Sequence, residues 1–320
     1  MPAGCFESLF LSRFNENFIM PGIFYQPVNR REFLGHSARA LTLLALSKHT
    51  DALGQEAADA EKQVHLALLS DTHVAADPKN EYRKFLPWEN LRTVVPQVIE
   101  SRPEGVILNG DAARLTGERA DYEAVKQLLA PLAEQAPVYI GLGNHDDRDN
   151  FFKVFDHPRG NRQKVAGKHV LVVERPWMRL MLMDSLLYVN KAAGLLGKAQ
   201  REWLARYLEE PDARPTMIFV HHTLGDGDGD LLDVEQLFRL TRPRKTVKAI
   251  IYGHSHKYAL SQEDGIHLIN IPAVGYNFSD DEPVGWVDAV FTAKGVDLKL
   301  RAFAGNRAAD GQSRSLTWRS

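Results

Sequence analysis

A short apolar run, Val138-Tyr139-Ile140-Gly141-Leu142, stops in Gly143-Asn144-His145-Asp146. The run has the length and continuity of a buried strand. An amide, an imidazole and a carboxylate in succession at its end do nothing for a core, since buried polar groups without partners cost free energy. They suit metal or phosphate chemistry. Four other apolar runs end in the same way. Residues 64–70 lead into Asp71-Thr72-His73, and 106–109 into Gly110-Asp111. Residues 216–220 lead into His221-His222, and 247–252 into Gly253-His254-Ser255-His256.

The segments between these runs alternate with them. Asn90 is placed to cap a helix running to about Glu100, with Leu91, Val94, Val95, Val98 and Ile99 on one side and a kink at Pro96. Asp121 is placed to open a second helix, in which Tyr122, Val125, Leu128, Leu129 and Leu132 recur at helical spacing. Strand, helix, strand, helix, strand predicts a parallel sheet with right-handed crossovers. Ligands gather at the carboxyl ends of such strands, where every polar motif falls. Further on, the pattern predicts helices at 151–155, 198–209 and 234–240. It predicts strands at 170–174, 179–184 and 267–271 and a hairpin at 286–291 and 296–303. Residues 306–320 are expected to be a loose polar tail. Residues 62–305 show no internal repeat and no linker.

Composition narrows the function classes. The chain has 320 residues, 44% hydrophobic and 25% charged, with a formal net charge of -2. It carries no long basic run, so no nucleic-acid partner is expected. The single cysteine, Cys5, excludes an intramolecular disulfide. No apolar run is long enough to span a bilayer.

Six of the twelve histidines lie in the strand-end motifs. His36, His49, His157, His169 and His267 are expected to be structural or solvated. A cluster of carboxylates and imidazoles is different, because a core would leave its charge unpaired. A divalent cation removes that cost and accounts for the residue types. In Asp71-x-His73 and His254-x-His256, alternate residues of an extended segment point the same way, so each pair is expected to converge on one centre.

The set and order of these motifs resemble those of the calcineurin-like metallophosphoesterases over roughly residues 64–304. Gly143-Asn144-His145-Asp146-Asp147-Arg148, and Gly110-Asp111 followed by Leu115-Thr116, are most similar to the class III cyclic-nucleotide phosphodiesterases and glycerophosphodiesterases. The resemblance implies an α/β fold, a four-layer α-β-β-α sandwich of two mixed sheets with helices outside. It implies two metal ions, with Fe, Mn and Zn all acceptable to these ligands. Asp71, His73 and His256 would bind one metal, and Asn144, His221 and His254 the other, bridged by Asp111. His222 is the less favoured of its pair. The implied reaction is hydrolysis of a phosphodiester or phosphomonoester by a metal-bound hydroxide. His145 is expected to contact the phosphate and protonate the leaving oxygen, oriented by Asp146, with Gly143 making a tight turn. A small phosphate ester is the implied substrate. A 3',5'-cyclic nucleotide is the alternative substrate, and a retromer-type binding module on the same fold the alternative class.

Two departures from relatives stand out. Purple acid phosphatases carry a metal-binding tyrosine three residues after the bridging aspartate, where this chain has Arg114, so no purple colour is expected. The loop 225–230, with Asp226, Asp228 and Asp230, fails the EF-hand pattern at Leu231 and Leu237. It is expected to be a mobile acidic rim that disfavours highly anionic substrates.

Residues 1–61 are expected to form a signal-like segment rather than part of the fold. Asn29-Arg30-Arg31-Glu32-Phe33-Leu34-Gly35 and the apolar stretch 38–46 resemble a twin-arginine export signal, with Ala58-Asp59-Ala60 as a small-residue cleavage site. That predicts an exported, periplasmic protein. The alternative is an amphipathic helix that packs Leu41, Leu44 and Leu46 on the body.

Overall fold

The computed structural model describes residues 63–156 and 158–320. The signal-like segment and His157 lie outside the described residues. In chain order the elements are β1 (Gln63–Leu69), α1 (Pro87–Ser101), β2 (Gly105–Asn109), α2 (Arg119–Ala133), β3 (Val138–Gly141) and α3 (Arg148–Val154). Then come β4 (Asn161–Gln163), β5 (Val170–Glu174), β6 (Arg179–Leu182), α4 (Lys198–Glu209), β7 (Thr216–Phe219), α5 (Val234–Thr241) and β8 (Val247–Tyr252). The last are β9 (Ala259–Glu263), β10 (Ile266–Asn270), β11 (Pro283–Thr292), β12 (Gly295–Gly305) and β13 (Ser313–Thr317).

One sheet has six strands in the order β13-β12-β11-β1-β2-β3, and the other seven in the order β4-β5-β6-β7-β8-β10-β9. The pairs β1-β2 and β2-β3 are parallel, and β11 joins β1 antiparallel. In the second sheet β6-β7, β7-β8 and β8-β10 are parallel, while the outer strands are antiparallel. Both sheets are therefore mixed, as expected.

Side chains alternate across each strand and so define the layers. In β1, Leu66 and Leu68 enter the core between the sheets with Leu180, Phe219 and Ile251. Ala67 and Leu69 face the other way, toward Val94, Val98, Val125 and Leu129 of α1 and α2. A third core packs Met181, Ile218 and Ile250 against Leu204, Leu208 and Leu237 of α4 and α5. The result is the four-layer α-β-β-α sandwich. Covering both faces of each sheet explains why the central strands are continuous apolar runs rather than alternating ones.

Among the boundaries that differ from expectation, three have a clear physical reason. Helix α1 starts at Pro87, not Asn90, because a proline fits the first helical position. The Asn90 amide instead donates to the carbonyls of Val274 and Gly275, at 3.2 and 2.8 Å. Helix α2 starts at Arg119, and Asp121 in its first turn accepts from the Ala76 amide at 2.8 Å. The segment 306–320 is not loose: β13 pairs with β12. Trp318 is buried, its indole donating to the Thr292 carbonyl at 3.0 Å. Arg319 donates to the carbonyls of Thr241, Arg244 and Val247. An edge strand needs only one apolar face. Here Leu316 and Trp318, two apart, supply it under a polar composition.

Candidate metal centre

All five motifs stand at carboxyl ends of strands, after β1, β2, β3, β7 and β8. The chain past β1 and β8 is not extended there. Asp71, His73, Asp111, His254 and His256 have φ of 53, 46, 49, 66 and 54°, in the left-handed region. This corrects the expectation of alternate residues on an extended segment. Non-glycine residues in that region cost on the order of 1–3 kcal/mol each and persist only where the surroundings fix them. Backbone bonds do so: Asp71 N to Gly110 O at 3.0 Å, His73 N to Asp111 O at 2.9 Å and Gly275 N to Asp71 O at 2.9 Å. The His254 amide donates to Asp71 Oδ2 at 3.1 Å. The tight backbone reversals, not the pleat, bring the side chains together.

The predicted ligands converge in two groups. Donor atoms of Asp71, His73 and His256 lie within 4.8 Å of one another, and so do those of Asp111, His221 and His254. His256 Nε2 is 3.3 Å from Asp71 Oδ1 and 3.1 Å from His73 Nε2. His221 Nε2 is 3.3 Å from Asp111 Oδ2 and 3.8 Å from Asp71 Oδ1. Asp111 thus reaches His73 (3.7 Å) on one side and His221 on the other, the placement of a bridge. Asn144 is buried and lines the same cleft as Asp111, His145 and His254.

Neighbouring carbonyls select which ring nitrogen each histidine offers. His256 Nδ1 donates to Tyr276 O at 2.6 Å and His221 Nδ1 to Asn109 O at 2.9 Å, which leaves both Nε2 lone pairs facing the cluster. His254 is reversed: its Nε2 bonds Gly229 O at 3.0 Å and leaves Nδ1 inward. Asp71 Oδ1, Asn144 Oδ1 and His221 Nε2 are buried with no hydrogen-bond partner. Inward lone pairs and orphaned oxygens in one place are costly alone and satisfied by cations, so the residues fit a metal pair.

The electrostatics agree. Burial opposes charge on Asp71 and Asp111, yet His221 and its neighbours hold both carboxyls below the usual range. Burial likewise opposes charge on His221, but Asp111 and Asp71 outweigh it and lift the imidazole to about 10. The two carboxylates demand positive charge beside them, which either a proton on His221 Nε2 or a cation at that lone pair supplies. Burial, then His221, pushes His254 down to about 4.

His145 lines the cleft, its amide on Asp111 Oδ1 and its Nδ1 on Leu115 O, both at 2.8 Å. Asp146 does not orient it. That buried carboxylate accepts from the amides of Gly143 (2.8 Å), Ala112 (3.3 Å) and Ala113 (3.2 Å) and from the Tyr122 hydroxyl (3.0 Å). It ties the β3 loop to the end of β2 instead. Burial and nearby Asp111 push its carboxyl up to about 6. His222 turns to Ser185 Oγ at 2.7 Å, outside both groups. Gly143 is required by space rather than by a positive φ. A Cβ there would meet Asp111 Oδ1 and lie 2.6 Å from the Asp111 amide. The loop 225–230 is anchored at Gly229 by His254, and Asp230 accepts from the Gly227 amide at 3.0 Å.

Tyr276 was missed by sequence reasoning. Its ring stacks on His73 at 4.8 Å and lies 4.6 Å from His256. It follows the carboxyl end of β10, so the strand-end rule applied to one more strand finds it. Burial pushes its phenol up, away from ionisation. Arg114 lies over the Tyr82 ring at 4.7 Å.

With this fold and ligand geometry, the calcineurin-like phosphoesterase profile matches residues 64–258, and the chain belongs to that family. It is a metal-dependent phosphoric ester hydrolase. Among its relatives, a 3',5'-cyclic adenosine monophosphate phosphodiesterase of Haemophilus influenzae is 27% identical over 231 residues, covering 69% of this chain and 81% of that protein. A glycerophosphodiester phosphodiesterase of Enterobacter lignolyticus is 26% identical over 230 residues, covering 68% and 81%. A dimetal phosphatase from Danio rerio has the same fold, with a TM-score of 0.60, 16% identity and coverage of 80% and 99%.

Proposed function

We propose that this protein is a phosphodiesterase whose metal pair is held by Asp71, His73 and His256 on one side and by Asn144, His221 and His254 on the other, with Asp111 between. The orphaned, buried donor atoms that converge from five strand ends carry this reading. Bound divalent cations supply a nucleophilic water near neutral pH and offset charge on the phosphoryl oxygens. The chain's own work is positioning and proton transfer. His145, with Nδ1 held by Leu115 O, offers Nε2 to the phosphate and gives a proton to the leaving oxygen. Asp146 keeps the His145 loop in place. Tyr276 and the carbonyls of Asn109 and Gly229 fix the ligand rings.

Iron, manganese and zinc all suit this donor set. A 3',5'-cyclic nucleotide is the favoured second substrate, since a relative named for that activity is 27% identical. Against a non-catalytic module stands the presence of His145 beside a full ligand set. The Arg30-Arg31 segment supports export, which N-terminal sequencing of the secreted protein tests.

The deciding experiment is metal analysis with an assay panel of a generic diester, a generic monoester and 2',3'- and 3',5'-cyclic nucleotides. About two equivalents of metal and diester turnover that a chelator abolishes are expected. Chelation also lowers the thermal midpoint, because the ions bind only the folded chain. A protein that holds no metal yet turns over diesters sinks the proposal.

A further inference from the structure

Five large apolar residues are exposed among the described residues: Tyr82, Leu115, Tyr188, Leu232 and Phe278. Phe278 lines the metal cleft, a cavity of about 270 Å³ shared with His73, Asp111 and His145. One side of its ring stacks on His256, with centroids 4.3 Å apart and planes 27° apart, yet 48% of the residue remains accessible. Tyr276 meets it edge-on at 5.7 Å, and Tyr82 meets Tyr276 edge-on at 4.7 Å. Three aromatic rings thus form a wall beside the metal residues.

The wall is held by a constrained turn. Tyr82 and Phe85 exchange backbone bonds of 2.9 Å around Arg83 and Lys84. These two central residues have φ of 53 and 67°, where asparagine or glycine is usual. The Arg83 guanidinium donates to Phe278 O at 2.7 Å and stands 5.7 Å from the Phe278 ring centroid. Arg114 makes the matching stack on Tyr82. A half-open ring beside a guanidinium favours a flat π-system, because planar rings stack on both. An aliphatic alcohol has nothing there to match.

We propose that Phe278 is a specificity residue that stacks a planar aromatic group of the substrate, so that the preferred class is phosphodiesters bearing a ring system rather than aliphatic diesters. This rests on the phosphodiesterase reading above. An aryl ester and a nucleobase share the required chemistry.

The test compares kcat/KM for bis(p-nitrophenyl) phosphate, 3',5'-cyclic AMP and the ring-free glycerophosphoethanolamine. It uses wild type, Phe278→Ala and Phe278→Leu, with bound metal measured in each. The ratio of ring-bearing to ring-free activity is expected to fall about tenfold in F278A, the loss of one stacking contact. F278L, apolar but not planar, is expected to fall with it at unchanged metal content. The ring-bearing substrate whose ratio falls identifies the source, aryl or nucleobase. If Phe278 only shields His256, all three substrates lose activity together and the ratio holds, which overturns the inference. A ratio preserved in F278L also overturns it, since bulk then suffices. A wild-type protein inactive on every diester defeats the phosphodiesterase reading, and this inference with it.

Discussion

His145 and Asp146 are adjacent in sequence and do different work. His145 faces the cleft, whereas Asp146 is buried and accepts four hydrogen bonds, three of them from backbone amides. His145→Ala is therefore expected to lower kcat about 10²–10⁴-fold, the range for a lost general acid, while metal content stays at the wild-type level. Asp146→Ala is expected to act on stability first. Stranding those donors costs about 3 kcal/mol or more, read as a lower urea midpoint. If D146A unfolded like wild type and only lost turnover, the bracing role would be wrong. The neighbouring Asn144 also shows what residue type alone leaves open. Its amide oxygen is buried without a hydrogen-bond partner, which the residue type by itself does not reveal.

At the scale of elements, the central strands were legible because both faces are buried and their runs are continuously apolar. The elements that were misread lie at the edges. Strands β4, β9 and β13 are polar in composition, and an edge strand shows one face to water. In β13 the signal was the spacing of Leu316 and Trp318, too short a pattern to stand out. Deleting residues 313–320 should cost stability, not merely trim a tail. It removes a buried tryptophan, a loss of about 3 kcal/mol by itself. It also bares β12 as a new edge, a site for aggregation. A truncated protein with the wild-type urea midpoint and no aggregation would refute this. Helix starts were misplaced for a related reason: Asn90 and Asp121 are good caps, but tertiary acceptors and donors claimed their side chains instead.

Across the whole molecule, the sandwich also buries a titratable group outside the metal cleft, and it contributes to the pH response. His169 is buried against Phe151 and Phe152, its Nε2 on Ile140 O at 3.0 Å. Burial pushes its imidazole down to about 4. The unfolded chain, with a pKa of about 6.5, takes up that proton first. Stability from the neutral ring is thus complete above pH ~6.5 and is lost as pH falls toward 4. Between pH 7 and pH 5 the loss is about 2 kcal/mol, so the urea midpoint should fall more in wild type than in His169→Gln. Equal pH slopes would show that His169 does not control this range.

The sequence by itself determined the strand-helix alternation of the first parallel sheet, β1 to β3, and which residue types stand at the strand ends. Apolar continuity and polar termination are local properties of the chain. The family resemblance then supplied the two-sheet sandwich and the ligand set. Only the tertiary structure decided how those ends meet. The predicted ligands converge through left-handed backbone turns rather than through strand pleat. Carbonyls from distant segments choose which nitrogen each histidine presents. Tyr276 and Phe278 enter the cleft from more than 100 residues beyond His145. These depend on which segments lie side by side after folding. No local pattern encodes which segments meet, because many of those contacts are made by backbone groups that every residue carries.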